Sequence, residues 1–234
     1  MPDQRRAVVY CVTRNLYRKI IPSMKSLLNN TRIDTVYVLA EDDELPWDTP
    51  DCVRVINVSN QEYFAHNGPN YNNAWTYMVL MRCALPKVLY WEDKVLSLDV
   101  DTLVQRDIGK LWDYDMNGFY LAAAKEVPKS REVGHPYYNF GVALLNLKML
   151  RDTGMCDRII WSINNRKYCF CEQDAYQEHC AGAIRELPGT YNHSHVSVQF
   201  DDEDIKIRHW PGHRGWYDYP EFKKWVMEEW KIVR

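Results

Sequence analysis

One stretch limits what this chain can fold into more than any other: Val95-Leu96-Ser97-Leu98-Asp99-Val100-Asp101-Thr102-Leu103-Val104. It is apolar at both ends and carries two carboxylates, one residue apart, at its centre. A near-continuous apolar run lacks the alternation of a half-exposed strand, and predicts a strand buried on both faces of a mainly parallel sheet. An unpaired carboxylate is expensive to bury, so two aspartates at a strand's end call for a cation or for solvent. Parallel sheets put their ligand sites just outside the carboxyl ends of the strands. Asp99 and Asp101 are therefore placed to hold a hard divalent metal, which could in turn hold a phosphate.

Competing readings of the same residues exist. The two aspartates would also suit a plain turn that ends a strand. A calcium-binding EF-hand loop fails, because it needs a third oxygen ligand and then a glycine where Leu103 and Val104 stand. A phosphatase of the haloacid dehalogenase type needs Asp-x-Asp-x-Thr, whereas here Thr102 follows Asp101 directly, and that motif is expected near the N-terminus.

The 234 residues suffice for one large α/β domain with a full core. Net charge is −3, with no basic block, which argues against nucleic acid or an anionic membrane as partner. Seven cysteines, odd in number and irregularly spaced, include no Cys-x-x-Cys pair, and Cys169-Phe170-Cys171 is too tight for zinc. Neither a signal peptide nor an apolar run near the ~20 residues of a membrane span is present. A reducing cytoplasm with free thiols is the expectation.

Along the chain, Ala7 to Val12 reads as an opening strand. Leu16, Ile20, Met24, Leu27 and Leu28 mark a helix that starts or kinks at Pro22. Thr35 to Ala40 and Val53 to Val58 are further strands, and the acidic loop Glu41 to Glu44 reads as a solvated turn. This strand–helix–strand rhythm predicts right-handed crossovers and a mainly parallel sheet. A helix is expected from about Asn73 to Leu85, with Trp75, Met78, Val79 and Cys83 in the core and Arg82 able to turn toward the site. A short helix follows near Ile108 to Trp112, then a strand from Phe119 to Ala124. Residues 127 to 138 read as a polar loop and candidate lid. Val142 to Leu145 is a strand, and Cys156 to Asn165 and Glu172 to Cys180 are helices. Ile205 to Trp210 is a late strand, and Glu221 to Trp230 an amphipathic helix that caps the domain.

Four separated stretches, in order, resemble glycosyltransferase family 8. Leu98-Asp99-Val100-Asp101-Thr102 is similar to its Asp-x-Asp motif, and Asn139-Phe140-Gly141-Val142-Ala143-Leu144-Leu145-Asn146-Leu147 to its Asn-x-Gly-x-x-Leu-x-Asn-Leu segment. Glu172-Gln173-Asp174 resembles its Asp-Gln-Asp, and His209-Trp210-Pro211-Gly212 its late His-x-x-Gly. With Thr13-Arg14-Asn15 and the helix at Met24-Lys25-Ser26-Leu27, the resemblance covers nearly the whole chain.

The resemblance implies a nucleotide-sugar-binding fold of the GT-A type, a single domain over residues 1–234. About 1–125 would bind the nucleotide, and about 126–234 would complete the metal and acceptor sites. Asp99, Asp101 and His209 would hold Mn²⁺, or Mg²⁺ in its place, a donor set that manganese accepts. Thr13 and Asn15 would face base and ribose. The family's base-stacking tyrosine falls on Leu16, with Tyr17 one place later. Glu126 and Asn139 match sugar- and acceptor-facing positions, and Arg82 a basic residue near the donor. Gly212 would let the backbone approach the diphosphate. The family's late lysine is missing, and Arg214 or His213 would supply its charge. Glu172, Gln173 and Asp174 would lie nearest the anomeric carbon.

The implied activity is metal-dependent, retaining transfer of a hexose from a UDP-sugar to a hydroxyl of a glycan, a lipid-linked or a protein acceptor. A sugar-phosphate nucleotidyltransferase shares this fold but usually carries a Gly-rich basic loop where Thr13-Arg14-Asn15-Leu16 stands. A non-catalytic protein that binds sugar nucleotides or glycans is the remaining alternative.

Overall fold

Ala7–Cys11 form strand β1, buried along nearly its whole length as a central strand must be. The computed structural model describes residues 5–197, 200–212 and 215–227. After β1 a single 3-10 segment, Arg14–Lys19, leads into helix α1 (Ile20–Asn30), with Pro22 in its first turn. There the missing N–H of proline breaks no intrahelical bond. Strands β2 (Thr35–Ala40) and β3 (Val53–Asn57) follow, then helix α2 (Met81–Val88) and strand β4 (Lys94–Leu98). Next come β5 (Thr102–Val104), β6 (Leu121–Lys125), helix α3 (Val127–Val133) and β7 (Tyr138–Asn146). Helices α4 (Leu147–Asp152), α5 (Met155–Asn165) and α6 (Cys171–His179) precede β8 (Ile184–Leu187), β9 (Ile207–His209) and α7 (Pro220–Met227).

Seven strands make one sheet in the order β3-β2-β1-β4-β7-β6-β8, parallel except at β7, which runs antiparallel to both its neighbours. The alternate residues of the central strands feed two separate cores. Val8, Tyr10 and Leu96 pack with Ile20, Met24 and Leu27 of α1, while Val9 and Val95 pack with side chains of α2, α5 and α6. Helices on both faces are what a buried, mainly parallel sheet requires. Chain order reverses between β1 and β4, and the crevice beyond their carboxyl ends is where an open α/β sheet binds its ligand. Asp99 follows β4 directly into that crevice.

Three expectations are corrected. The run from Val95 to Val104 is not one strand, because the chain turns at Val100 and Asp101. β5 then leaves the main sheet to pair antiparallel with β9, setting Thr102 opposite His209. A helix from Asn73 does not form. Asn73 instead accepts from the Trp75 N–H and donates to the Thr76 carbonyl, and this local side-chain turn competes with helix. Trp75 is accordingly 44% exposed rather than core, whereas Met78 and Cys83 are buried. Residues 127–138 are not a loop throughout. Pro128 in the first turn and Gly134 at φ 76° bound the helix α3, two signals of helix ends that also read as breakers. Strand β8 and helix α4 had no separate sequence signal. The expected terminal helix is present as far as Met227; Trp230 lies outside the described residues. Helix α7 packs on α1, where Lys25 donates to the Trp225 carbonyl at 3.0 Å.

Candidate active site

A cleft of about 370 Å³ opens at the carboxyl ends of β1 and β4, floored by Leu98, Asp99, Val100, Asp101 and His209. Strand pairing assembles that floor. β5 and β9 bring His209, from the far end of the sequence, against the two aspartates. Its Nε2 lies 3.3 Å from an Asp101 carboxylate oxygen and 3.6 Å from one of Asp99. One ligand atom from each of the three residues falls within 4.8 Å of the others. The His209 ring is buried, and among the described residues its Nε2 has no hydrogen-bond partner. Nδ1 is engaged, 2.8 Å from Oδ1 of Asn192.

Gly141 makes room for this ring. A Cβ there would overlap the imidazole of His209, so the glycine of the Asn-Phe-Gly segment is a steric requirement of the site. The strand is irregular at that point. Ala123 pairs with Ala143 but Ala124 with Asn139, which frees Phe140 and Gly141 from the β6 ladder. The Gly141 carbonyl then accepts from the Asp99 N–H at 2.8 Å, tying β7 to the aspartate turn.

Arg82, buried on α2, lines the cleft. It donates to Asp99, to Glu172 at 3.1 Å and to the Phe140 carbonyl at 3.3 Å. Glu172 is buried too, and burial pushes its carboxyl up to about 7 against the opposing pull of Arg82, whose guanidinium is shared between two carboxylates. Gln173 lines the cleft and accepts from the Phe140 N–H at 3.0 Å. Glu126 and Asn139 line it together, joined at 3.2 Å, and exposed Gly212 borders it at φ 72°.

The remaining expected residues sit elsewhere. Asp174 does not line the cleft: one oxygen accepts from the Tyr137 hydroxyl at 2.5 Å and the other from the Phe170 N–H at 2.8 Å. Tyr17 is buried, with its hydroxyl between Asp42 and the Glu41 N–H, and Leu16 takes the position on the cleft wall. Asn15 and Tyr17 border a second, shallower pocket beside Asp42, and Thr13 bonds to Asn15. The loop Glu41–Glu44 is thus more than a solvated turn, since Glu41 and Asp42 anchor Arg14, Tyr17 and Tyr77. His213 and Arg214 lie outside the described residues.

The described lining carries four carboxylates, Asp99, Asp101, Glu126 and Glu172, against one guanidinium. Ligand atoms of Asp99, Asp101 and His209 converge, and among the described residues no hydrogen bond from His209 Nε2 relieves them. That donor set, two carboxylates and an imidazole, fits a divalent cation.

The family model described as glycosyl transferase family 8 matches residues 7–216, a span that contains every one of these groups. The chain belongs to glycosyltransferase family 8. Among curated family relatives, a probable glycosyl transferase Gly of Streptococcus gordonii is 23% identical over 236 residues, covering 94% of this chain and 34% of the relative. The glycosyltransferase GlyE of Streptococcus pneumoniae is 31% identical over 161 residues, covering 63% of this chain and 37% of the relative. The chain spans about a third of the length of the curated relatives it matches. Among solved structures, the galactosyltransferase LgtC in complex with donor and acceptor sugar analogues superposes with a TM-score of 0.71 at 19% identity, covering 94% of this chain and 95% of that one. The bifunctional glycosyltransferase WbbM gives 0.74 at 16% identity, covering 97% and 50%. At such identities the likeness is one of fold, and the sheet is of the GT-A type.

Sequence reasoning missed two residues of the site. Gly141 stood inside a quoted motif, yet its role depends on a ring that arrives from 68 positions later, counting from 141 to 209. Asn192 had no signal, being one of many polar residues in a region without periodicity.

Proposed function

We propose that this chain is a metal-dependent, retaining hexosyltransferase that moves a sugar from a UDP-sugar to an acceptor hydroxyl on a glycan, a lipid-linked molecule or a protein. The observation that carries the reading is the convergence of Asp99, Asp101 and the unbonded Nε2 of His209 on the floor of an acid-rich cleft. A diphosphate entering such a cleft is repelled unless a cation stands between. Mn²⁺, or Mg²⁺, held by those three residues would supply Lewis-acid neutralisation of the departing diphosphate.

The chain's own groups supply the rest. Arg82 keeps a positive charge beside the aspartates, with both ends of its guanidinium fixed. Glu126 and Asn139, joined on one wall, present polar atoms to sugar hydroxyls. Gln173 stands at the cleft as an amide, a poor nucleophile, which favours attack from the face the leaving group departs, with its phosphate as base. Thr13 and Asn15 suit the nucleoside, next to Leu16 and Cys11 of the cleft lining, and Arg214 or His213 the diphosphate. Residues up to about 125 act as the nucleotide-binding part of one domain, and the remainder completes the metal and acceptor sites. Among the described residues no helix is long and apolar enough to cross a membrane. All seven cysteines are unpaired, which suits a reducing cytoplasm.

The test is a panel of sugar nucleotides with and without Mn²⁺, followed by released nucleotide. UDP should appear from a UDP-hexose only with the metal. Asp99→Asn, Asp101→Asn and His209→Ala should each weaken Mn²⁺-dependent donor binding by calorimetry while the protein stays folded. Unchanged donor affinity in either aspartate variant overturns the metal assignment. Consumption of a nucleoside triphosphate with a sugar phosphate would mark a nucleotidyltransferase instead, and tight binding without release a non-catalytic binder.

A further inference from the structure

His209 can present a lone pair to the two aspartates only if the ring proton sits on Nδ1. The hydrogen bonds around Asn192 fix where it sits. The Gly141 backbone N–H can only donate, and it donates to Oδ1 of Asn139 at 3.0 Å. The other side of that amide faces the Glu126 carboxylate at 3.2 Å, so the Asn139 amide is oriented from both ends. The Asn192 side chain meets Oδ1 of Asn139 at 2.9 Å and its carbonyl at 3.3 Å, two acceptors. Asn192 must therefore turn its NH₂ toward Asn139, and its oxygen faces Nδ1 of His209 at 2.8 Å. An oxygen there requires N–H at Nδ1, and in the neutral ring leaves Nε2 bare, pointing at Asp99 and Asp101. Both Asn192 and His209 are buried, so water does not compete.

We infer that Asn192 is a positioning residue that locks His209 in the Nδ1–H tautomer, and that the lock's polarity is set by the Gly141 N–H and the Glu126 carboxylate through Asn139. The inference rests on the reading of His209 as a metal ligand. A ligand imidazole held through its far nitrogen is pre-oriented and more basic, and loss of such a partner typically costs about 10–100-fold in metal affinity. The same chain of amides links the metal ligand to Glu126 and Asn139 on the sugar-facing wall.

Nitrogen NMR of histidine-labelled, metal-free protein at mildly alkaline pH reads the tautomer directly, with His209→Gln identifying the signal. In the wild type, Nε2 of His209 should be of the pyridine type and Nδ1 of the pyrrole type; the reverse assignment overturns the proposal without any variant at Asn192. Asn192→Leu should mix or invert the tautomers. It should also weaken Mn²⁺ binding in the presence of UDP, followed by electron paramagnetic resonance of free Mn²⁺, by about 10–100-fold. A leucine variant with wild-type Mn²⁺ affinity overturns it. A locked tautomer in a wild-type protein that binds no Mn²⁺ would instead sink the metal reading and leave the tautomer standing.

Discussion

A Cβ on Gly141 would fall within the His209 ring, yet the backbone at Gly141 is not in the left-handed region, so the obstacle to alanine is space alone. Gly141→Ala should displace the imidazole, lose Mn²⁺-dependent donor binding, and lower stability by about 1–3 kcal/mol, the usual penalty of overpacking. Calorimetry with Mn²⁺ and UDP, beside a thermal melt, checks both effects. Glu172 and Gln173 carry a different expectation. With an amide at the cleft and the Glu172 carboxylate bound to Arg82, neither is placed as a free nucleophile. Glu172→Gln and Gln173→Ala should each leave a slow enzyme, down by ~10²-fold, or about 2.7 kcal/mol of transition-state stabilisation. Mass spectrometry of the protein with donor alone should find no glycosylated Glu172 or Asp174; such an adduct would mean a covalent route.

At the scale of elements, the entry to α6 is the strained point. Cys171 stands at φ 46°, one of two described non-glycine residues in the left-handed region, and Thr76 at φ 89° is the other; Thr76 lines the cleft, and Cys171 stands between two residues that do, Phe170 and Glu172. Such residues persist only where their surroundings over-determine them, at a cost of about 1–3 kcal/mol each. Asp174 provides that restraint. It reaches back to the Phe170 N–H and across to the Tyr137 hydroxyl, so the turn into α6 is clamped to the start of β7. Asp174→Ala should destabilise the fold by roughly 1–3 kcal/mol, because two hydrogen-bonding groups lose their partner. A melting temperature equal to wild type would refute this structural role.

For the molecule as a whole, Glu172 ties stability to pH. Burial, with the nearby Asp174 charge, holds its carboxyl up to about 7 in the fold against the opposing pull of Arg82, compared with 4.5 for an unperturbed glutamate; the thiols Cys11, Cys83 and Cys171 also face it. A raised folded value means that the native state grips this proton more tightly. Its contribution is therefore complete below about pH 4.5 and lost as pH rises to about 7. Glu172→Gln removes the titration, so its melting temperature relative to wild type should improve between about pH 5 and about pH 8. A pH-independent difference over that range would mean that Arg82 holds the carboxylate ionised. The thiols offer a second global check: seven should titrate under denaturing, non-reducing conditions, and five or fewer would reveal a disulfide.

Sequence alone determined the parts of this protein that local chemistry specifies. The apolar runs at Ala7–Cys11, Thr35–Ala40 and Lys94–Leu98 required a sheet buried on both faces, and the 3.6-residue spacing of α1 and α5 required helices to cover it. The pair Asp99 and Asp101 at the end of such a strand already called for a cation or for solvent, because burial of unpaired charge is costly. Tertiary structure decided everything that depends on distant pairing. Only the β5–β9 register brings His209 to the aspartates, only the shifted register of β7 against β6 exposes Gly141 to its ring, and only packing puts Asn192 on the far nitrogen. Local patterns also misled where two meanings coincide. Pro128 and Gly134 bound a helix as readily as they break one, and Trp75 fits a helical stripe while Asn73 folds the backbone away from it. The reason is physical: periodicity records which face of an element is buried, whereas a site is made where elements from remote parts of the chain meet, and that meeting leaves no mark in any one of them.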